Sequence, residues 1–207
     1  MINTSMINIK TDEHIFICGK TGSGKTSMAK RLWQGVMPGH GIILDVKHEL
    51  GTCGRVVHSV HDLNTILNGK HNVVFQGQNT PETYAAVFTY VYSRGNTILW
   101  IDEGAQVVPE GRTCPEAIQL YTAGRSRGAV AWTLTQRPAI ISKTAISQSS
   151  HYFVFNLILS HDKKAICADI PLLPDDFYRL KRYEYFYYNQ DMEAVKHCAP
   201  ISEKTKK

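Results

Sequence analysis

The sequence predicts an α/β fold with a mainly parallel central sheet flanked by helices. Three observations carry this. Short apolar runs alternate with helical patterns along most of the 207 residues, the signature of βαβ units. One such run enters a glycine-rich loop that opens directly into a helix. Another ends in two consecutive acids, as a strand does when it delivers side chains to a sheet edge.

The first element, Ile15-Phe16-Ile17-Cys18, reads as a short buried strand. Gly19-Lys20-Thr21-Gly22-Ser23-Gly24-Lys25-Thr26 follows and matches G-x-x-x-x-G-K-[ST]. A helical pattern runs from Thr26 through Ala29, Leu32 and Trp33 to Val36. Strand, loop and helix in this order aim backbone N–H groups and a helix N-terminus at a polyphosphate. Gly19, Gly22 and Gly24 permit torsions and close approaches that a side chain would block, and the loop amides form an anion nest. Lys25 is expected to reach the β- and γ-phosphates and the Thr26 hydroxyl to ligate Mg²⁺. The expected nucleotide-binding set is Gly19, Lys20, Thr21, Gly22, Ser23, Gly24, Lys25, Thr26 and Ser27.

Residues 41–46 read as a second strand and 55–58 as a weaker one. A short helix is expected over 61–67, with Asp62 near its start, and a strand over 72–75. Thr80-Pro81-Glu82 opens a helix, with a cap residue followed by Pro at the first position, running to about Arg94. Residues 97–102 form a strong strand. Cys114-Pro115-Glu116 starts a helix that ends near Gly124. Strands follow over 129–135 and 152–159, the latter interrupted by Asn156. Pro171 and Pro174 punctuate the last third, where 183–188 and 194–197 read as an antiparallel hairpin. Without repeats or low-complexity linkers, the expectation is a single domain, 1–207. Its core is about 12–160 and its C-terminal extension with the hairpin about 161–200.

The chain is 43% apolar and 20% charged, an ordinary globular composition. No apolar stretch reaches 18 residues, so no membrane span is expected. The polar N-terminal residues 1–13 lack the apolar core of a signal peptide, so the chain is expected to stay where it is made, in the cytoplasm or a particle derived from it. Five widely spaced cysteines include no C-x-x-C pair, which argues against a zinc ribbon or a disulfide framework. Cys18 reads as a small core residue; a disulfide stays open for a hyperthermophilic source. The net charge of +5 permits a polyanionic partner, although the tail 204–207 supplies part of it. His58 and His61 are three apart but lack an acid or Cys to complete a metal site.

Asp102-Glu103 ends the strand that begins at Thr97, which is the Walker B pattern. Asp102 is expected to hold Mg²⁺ through water and Glu103 to polarise the attacking water, a pairing that favours hydrolysis over transfer to a small acceptor. Gln136, at the end of the 129–135 strand, is placed to bond the attacking water or to sense the γ-phosphate. Gly124-Arg125-Ser126-Arg127-Gly128 puts two arginines between glycines. An arginine that stabilises a transferring phosphoryl group contributes ~10³ to 10⁵ in rate. The alternative is an exposed loop with two solvated charges, and whether Arg127 shares the role of Arg125 is open.

Taken together, residues 19–26, 98–104 and 124–128 followed by Thr135-Gln136-Arg137-Pro138 resemble the FtsK–HerA superfamily of P-loop DNA-pumping ATPases, with a RecA-like core. The spacing from Gly124-Arg125-x-x-Gly128 to Thr135-Gln136-Arg137-Pro138 is the specific part. The compact length resembles the genome-packaging ATPases of tailless viruses with internal membranes, and among them those of archaeal turreted icosahedral viruses. The resemblance covers roughly residues 12–160. It implies ATP and Mg²⁺ as cofactors and Lys25, Glu103 and Gln136 as catalytic residues. It also implies Arg125 acting in trans, and a ring, usually hexameric with a pentamer as the alternative, threaded by double-stranded DNA. Capsid or internal-membrane proteins are the implied further partners. Asp45-Val46-Lys47 resembles the family's acid-x-Lys. The family's accessory DNA-recognition domains have no counterpart in these 207 residues, so sequence-specific DNA orientation is not expected of them.

DNA in a pore is gripped through phosphates. Lys47, His48 and Arg55 flank the loop 51–54, and Arg112 lies in the loop 109–115; each is a candidate DNA contact, with a solvated surface charge as the alternative. Tyr183, Tyr185, Phe186, Tyr187 and Tyr188 could stack bases, but sheet packing is the preferred reading. Rival functions are a cellular DNA-repair or conjugation motor of the same superfamily, a nucleoside or nucleotide kinase, and a DNA-binding capsid component with nucleotide as a switch.

Overall fold

The computed structural model describes residues 7–36, 39–66 and 72–201. Strand β1 (Ile15–Cys18) leads through the glycine loop into α1 (Lys25–Val36) and β2 (His40–Leu44). Then come β3 (Arg55–Val57), α2 (Val60–Ile66), β4 (Asn72–Phe75), α3 (Pro81–Arg94) and β5 (Thr97–Ile101). The rest is α4 (Gly104–Val107), α5 (Pro115–Ala123), β6 (Ala129–Thr135), α6 (Lys143–Ser147), β7 (His151–Phe155), α7 (Ser160–Cys167), β8 (Tyr185–Asn189) and β9 (Lys196–Cys198). Leu67, the expected end of α2, lies outside the described residues, as do the first six residues and the tail 204–207.

The strands form one sheet in the order β3-β4-β2-β5-β6-β1-β7-β8-β9. The pairs from β3 to β7 are parallel and the last two are antiparallel. The C-terminal hairpin therefore extends the main sheet, because β8 pairs with β7 as well as with β9. Side chains alternate between two cores. Ile15 and Ile17 face α1, together with Trp100 and Trp132. Phe16 and Cys18 face the opposite layer, where α3, α5, α6 and α7 pack. Strands buried on both faces read as continuous apolar runs, and the central four are fully buried.

Helix α1 is held down by Trp33, whose ring lies 5.7 Å from Trp100 and 5.5 Å from Trp132. Gly41 on β2 leaves the space for that indole, since a Cβ there would collide with it. Thr80 caps α3 by accepting from the Thr83 N–H at 3.2 Å.

Several boundaries differ from the sequence reading for local reasons. β2 stops at Leu44 because the Asp45 carboxylate accepts from the Glu49 and Leu50 N–H groups, at 3.0 and 2.8 Å, and turns the chain. β7 stops at Phe155, and the Asn156 carbonyl then accepts from the Lys20 N–H at 2.8 Å. The expected strand over 156–159 is instead an exit from the sheet into α7, whose mostly polar sequence hid it. The Gly124–Arg127 segment is a short 3₁₀ turn. Tyr185, Phe186 and Tyr187 are buried, so they pack the sheet; the stacking alternative is not supported for these three.

Trp33→Ala is expected to lower stability by about 3–5 kcal/mol, read by equilibrium denaturant unfolding, because it empties the contact between α1 and two strands.

Candidate nucleotide site

The glycine loop is stitched to both strands beside β1. The Gly19 N–H donates to the Thr135 carbonyl at 3.2 Å and the Lys20 N–H to Asn156. Gly19, Gly22 and Gly24 have φ values of 155°, 70° and 108°, which side chains rarely adopt. A Cβ at Gly19 would also sit 2.5 Å from the Phe155 Cβ. Lys25 is buried, and its ammonium donates to the Gly19 and Lys20 carbonyls at 2.8 and 3.0 Å. Burial pushes its pKa below the usual lysine value, against the nearby Cys18, Glu103 and Asp102. Its charge is therefore held inside the loop, where a polyphosphate would meet it.

Parallel strands end on one edge, so β2, β5, β6 and β1 deliver their last residues side by side. The Thr21 hydroxyl donates to the Gln136 Oε1 at 2.6 Å, joining the loop to the end of β6. Asp102 and Glu103 follow β5, one strand further. Burial, opposed by Lys47 and reinforced by Asp45 and Glu103, raises the Asp102 carboxyl to about 6. The buried Asp102 carboxylate, within electrostatic range of Lys25, and the hydroxyl of Thr26, the residue after Lys25, are oxygen donors of the kind that fits a hard divalent cation. Gly104 permits this packing, since a Cβ there would lie 2.6 Å from the Thr133 Cγ2.

The three arginines of the 124–128 and 135–138 motifs have separate fates. Arg125 precedes β6 and so lies on the opposite sheet edge. The seven residues of β6 span roughly 20 Å, beyond the reach of an arginine to its own loop. The Arg125 side chain is exposed and makes no hydrogen bond or ion pair among the described residues. Arg127 differs. Its guanidinium donates to the Tyr92 and Ser93 carbonyls at 3.0 and 3.3 Å and lies 5.0 Å from the Tyr92 ring centroid, tying the turn to the end of α3. Arg137 is held by the buried Asp162, Nε to Oδ2 at 3.0 Å, and so anchors α7.

The DNA candidates also separate. Lys47 does not stand free on a loop: its ammonium is 2.5 Å from the Glu103 Oε2, because β2 and β5 are neighbours. Arg55 starts the edge strand β3 and is exposed; Arg112 is exposed in the turn after α4. Sequence reasoning did not place the segment 180–184 at the nucleotide loop. It returns beside the loop because β8 pairs with β7, and it encloses a cavity of about 510 Å³ with Lys20, Thr21, Gly22, Ser23 and Asn156. Tyr183 sits there at φ 66°, under the Arg182 guanidinium at 4.8 Å. No local pattern marks it, since only the strand pairing brings it there.

A parallel sheet with a glycine-rich phosphate loop at its switch point and acids on the adjacent edge is the P-loop NTPase fold. Within that class, the chain shares its fold with the genome packaging NTPase B204 from Sulfolobus turreted icosahedral virus 2 in complex with AMPPCP. The match has a TM-score of 0.79 at 20% identity and covers 94% of this chain and 100% of that one. B204, the DNA-packaging ATPase from Sulfolobus turreted icosahedral virus, matches at 0.75 and 20% over the same shares. The cytoplasmic domain of the Thermomonospora curvata type VII secretion ATPase EccC matches at 0.60 and 10%, over 96% of this chain and 25% of that one. No protein-family model and no curated protein sequence matches the chain.

Gly19→Ala is expected to abolish nucleotide binding in a fluorescent-nucleotide titration. Arg127→Ala is expected to lower the unfolding midpoint, whereas Arg125→Ala leaves it unchanged.

Proposed function

We propose that this chain is a Mg²⁺-dependent ATPase whose hydrolysis drives double-stranded DNA translocation, and that it packages a viral genome into a preformed capsid. One observation carries the reading: Lys25, Thr26, Asp102, Glu103 and Gln136 end on one sheet edge, while the exposed Arg125 lies across the sheet. Such a half-site is completed when a neighbouring copy presents its arginine. The fold shared with B204, a genome packaging NTPase, supports the choice of packaging motor.

In this mechanism the loop amides and Lys25 hold the β- and γ-phosphates and spread their charge. Thr26 and Asp102 would hold magnesium, which would supply further neutralisation of the phosphates. Glu103 takes the proton from water as it attacks the γ-phosphorus in line with the leaving ADP oxygen. Gln136, bonded to Thr21, links the γ-phosphate position to the loop, so loss of phosphate is felt at β6. Arg125 of the adjacent copy meets the charge on the transferring phosphoryl group. A ring follows from this division of labour, with a hexamer or pentamer enclosing the DNA. Residues 1–207 act as one domain in it, and exposed Arg55 and Arg112 are the DNA-phosphate contacts on its surface. The ring works in the host cytoplasm or on the virion, docked on capsid or internal-membrane proteins. Among the described residues no helix is long and apolar enough to cross a membrane.

Glu103→Gln is expected to bind nucleotide normally and to lose about 10² to 10⁴ in turnover, measured as phosphate release without an acceptor. Arg125→Ala is expected to bind ATP and to lose about 10³ or more in rate. Mixing it with Lys25→Ala subunits restores activity only if the arginine acts between copies.

A further inference from the structure

The limb of the phosphate loop at Lys20 and Thr21 separates two cavities. The larger, of about 510 Å³, is walled on its far side by the segment 180–184. The smaller, of about 270 Å³, lies toward β6 and α7, with Gln136, Arg137, Ile158 and Asp162 on its walls. Thr21 lines it too and is bonded to Gln136 at 2.6 Å. The smaller cavity therefore begins beside the position proposed for the γ-phosphate.

Its walls hold more hydrogen-bond donors than acceptors. Lys20 is exposed, and its ammonium makes no hydrogen bond or ion pair among the described residues. Gln136 uses its amide oxygen on the Thr21 hydroxyl, and its N–H groups have no acceptor among those residues. Arg137 donates from Nε to the Asp162 Oδ2 and from one terminal nitrogen to the His161 Nε2, each at 3.0 Å. The rest of its guanidinium fork is unused. Asp162 is already engaged: it is buried, and its other oxygen accepts from the Ala139 N–H at 3.1 Å. It balances Arg137, so Lys20 carries the net charge of the cleft. Unused donors on Lys20, Gln136 and Arg137, with one uncompensated cation, suit a ligand that only accepts. A tetrahedral oxyanion is such a ligand, and hydrolysis of ATP to ADP and inorganic phosphate releases one beside this cleft.

We propose that the cleft is the exit station for inorganic phosphate. After cleavage the ion crosses the partition made by the Thr21–Gln136 hydrogen bond and is held between Lys20 and Arg137. It then reaches solvent past Ile158, which is 72% exposed, while ADP stays in the loop. The inference rests on ATP hydrolysis at the loop.

The test titrates inorganic phosphate by calorimetry into the full-length chain saturated with Mg²⁺ and the non-hydrolysable analogue AMPPCP. The analogue fills the γ position, so only the cleft is left for phosphate. Ile158→Glu is expected to weaken phosphate binding about fivefold and Ile158→Lys to strengthen it about fivefold, both with unchanged AMPPCP affinity. Opposite shifts from one exposed position cannot come from damage to the fold. In single turnovers of ATP, cleavage is read by acid quench and free phosphate by a fluorescent phosphate-binding sensor. Ile158→Lys lengthens the delay between them and Ile158→Glu shortens it. The proposal is overturned if phosphate binds the ADP form but not the AMPPCP form, which puts it in the vacated γ position. It is also overturned if the two variants leave binding unchanged or shift it the same way, if double-stranded DNA displaces the phosphate, or if release coincides with cleavage in all three proteins. A wild type that binds phosphate beside AMPPCP but cleaves no ATP overturns hydrolysis itself, and the exit role with it.

Discussion

The double pairing of β1 is the constraint on which the rest depends. β1 lies between β6 and β7, and the first two amides of the loop continue those pairings beyond the strand. The loop is therefore an extension of the sheet rather than a flexible turn. Its register carries into Lys25 and α1, which Trp33 clamps onto the same strands. Residues far apart in sequence gain fixed positions because each is the next residue after a buried, paired strand.

That edge concentrates charge in a partly dry environment. Asp45, Asp102, Glu103, Lys25 and Lys47 all lie on it, and burial raises Asp102 while depressing Lys25. Each shift disfavours the charged form when the group stands alone. A cation beside Asp102 and phosphates beside Lys25 oppose those costs, so the electrostatics favour a charged ligand at this edge. Lys47 and Glu103 meet the same difficulty by pairing with each other.

Sheet polarity then divides the arginines. All strands from β3 to β7 point one way, so the turn that leads into β6 lies on the edge away from the loop. Arg125 is exposed there and Arg127 is tied to α3, although only Ser126 separates them. The difference follows from direction along the turn: Arg127 faces the end of α3, and Arg125 faces out.

The alternation of strands and helices, the glycine loop, and the candidates Lys25, Asp102, Glu103 and Gln136 were all legible in the sequence. Each rests on a local pattern: an apolar run, a torsional need for glycine, or a polar residue just after a strand. Even the cap of α3 was legible, because Thr80 and Pro81 act on their own helix. Short or polar elements such as α4, α6 and α7 were not, since their stability comes from packing rather than from periodicity. The pairing of Lys47 with Glu103, the separate fates of Arg125 and Arg127, and the return of Tyr183 to the loop were decided by tertiary structure alone. Strand order determines the first and the last, and the packing of one turn against α3 determines the second; both are set by non-local hydrogen bonding and burial that no local run of residues encodes.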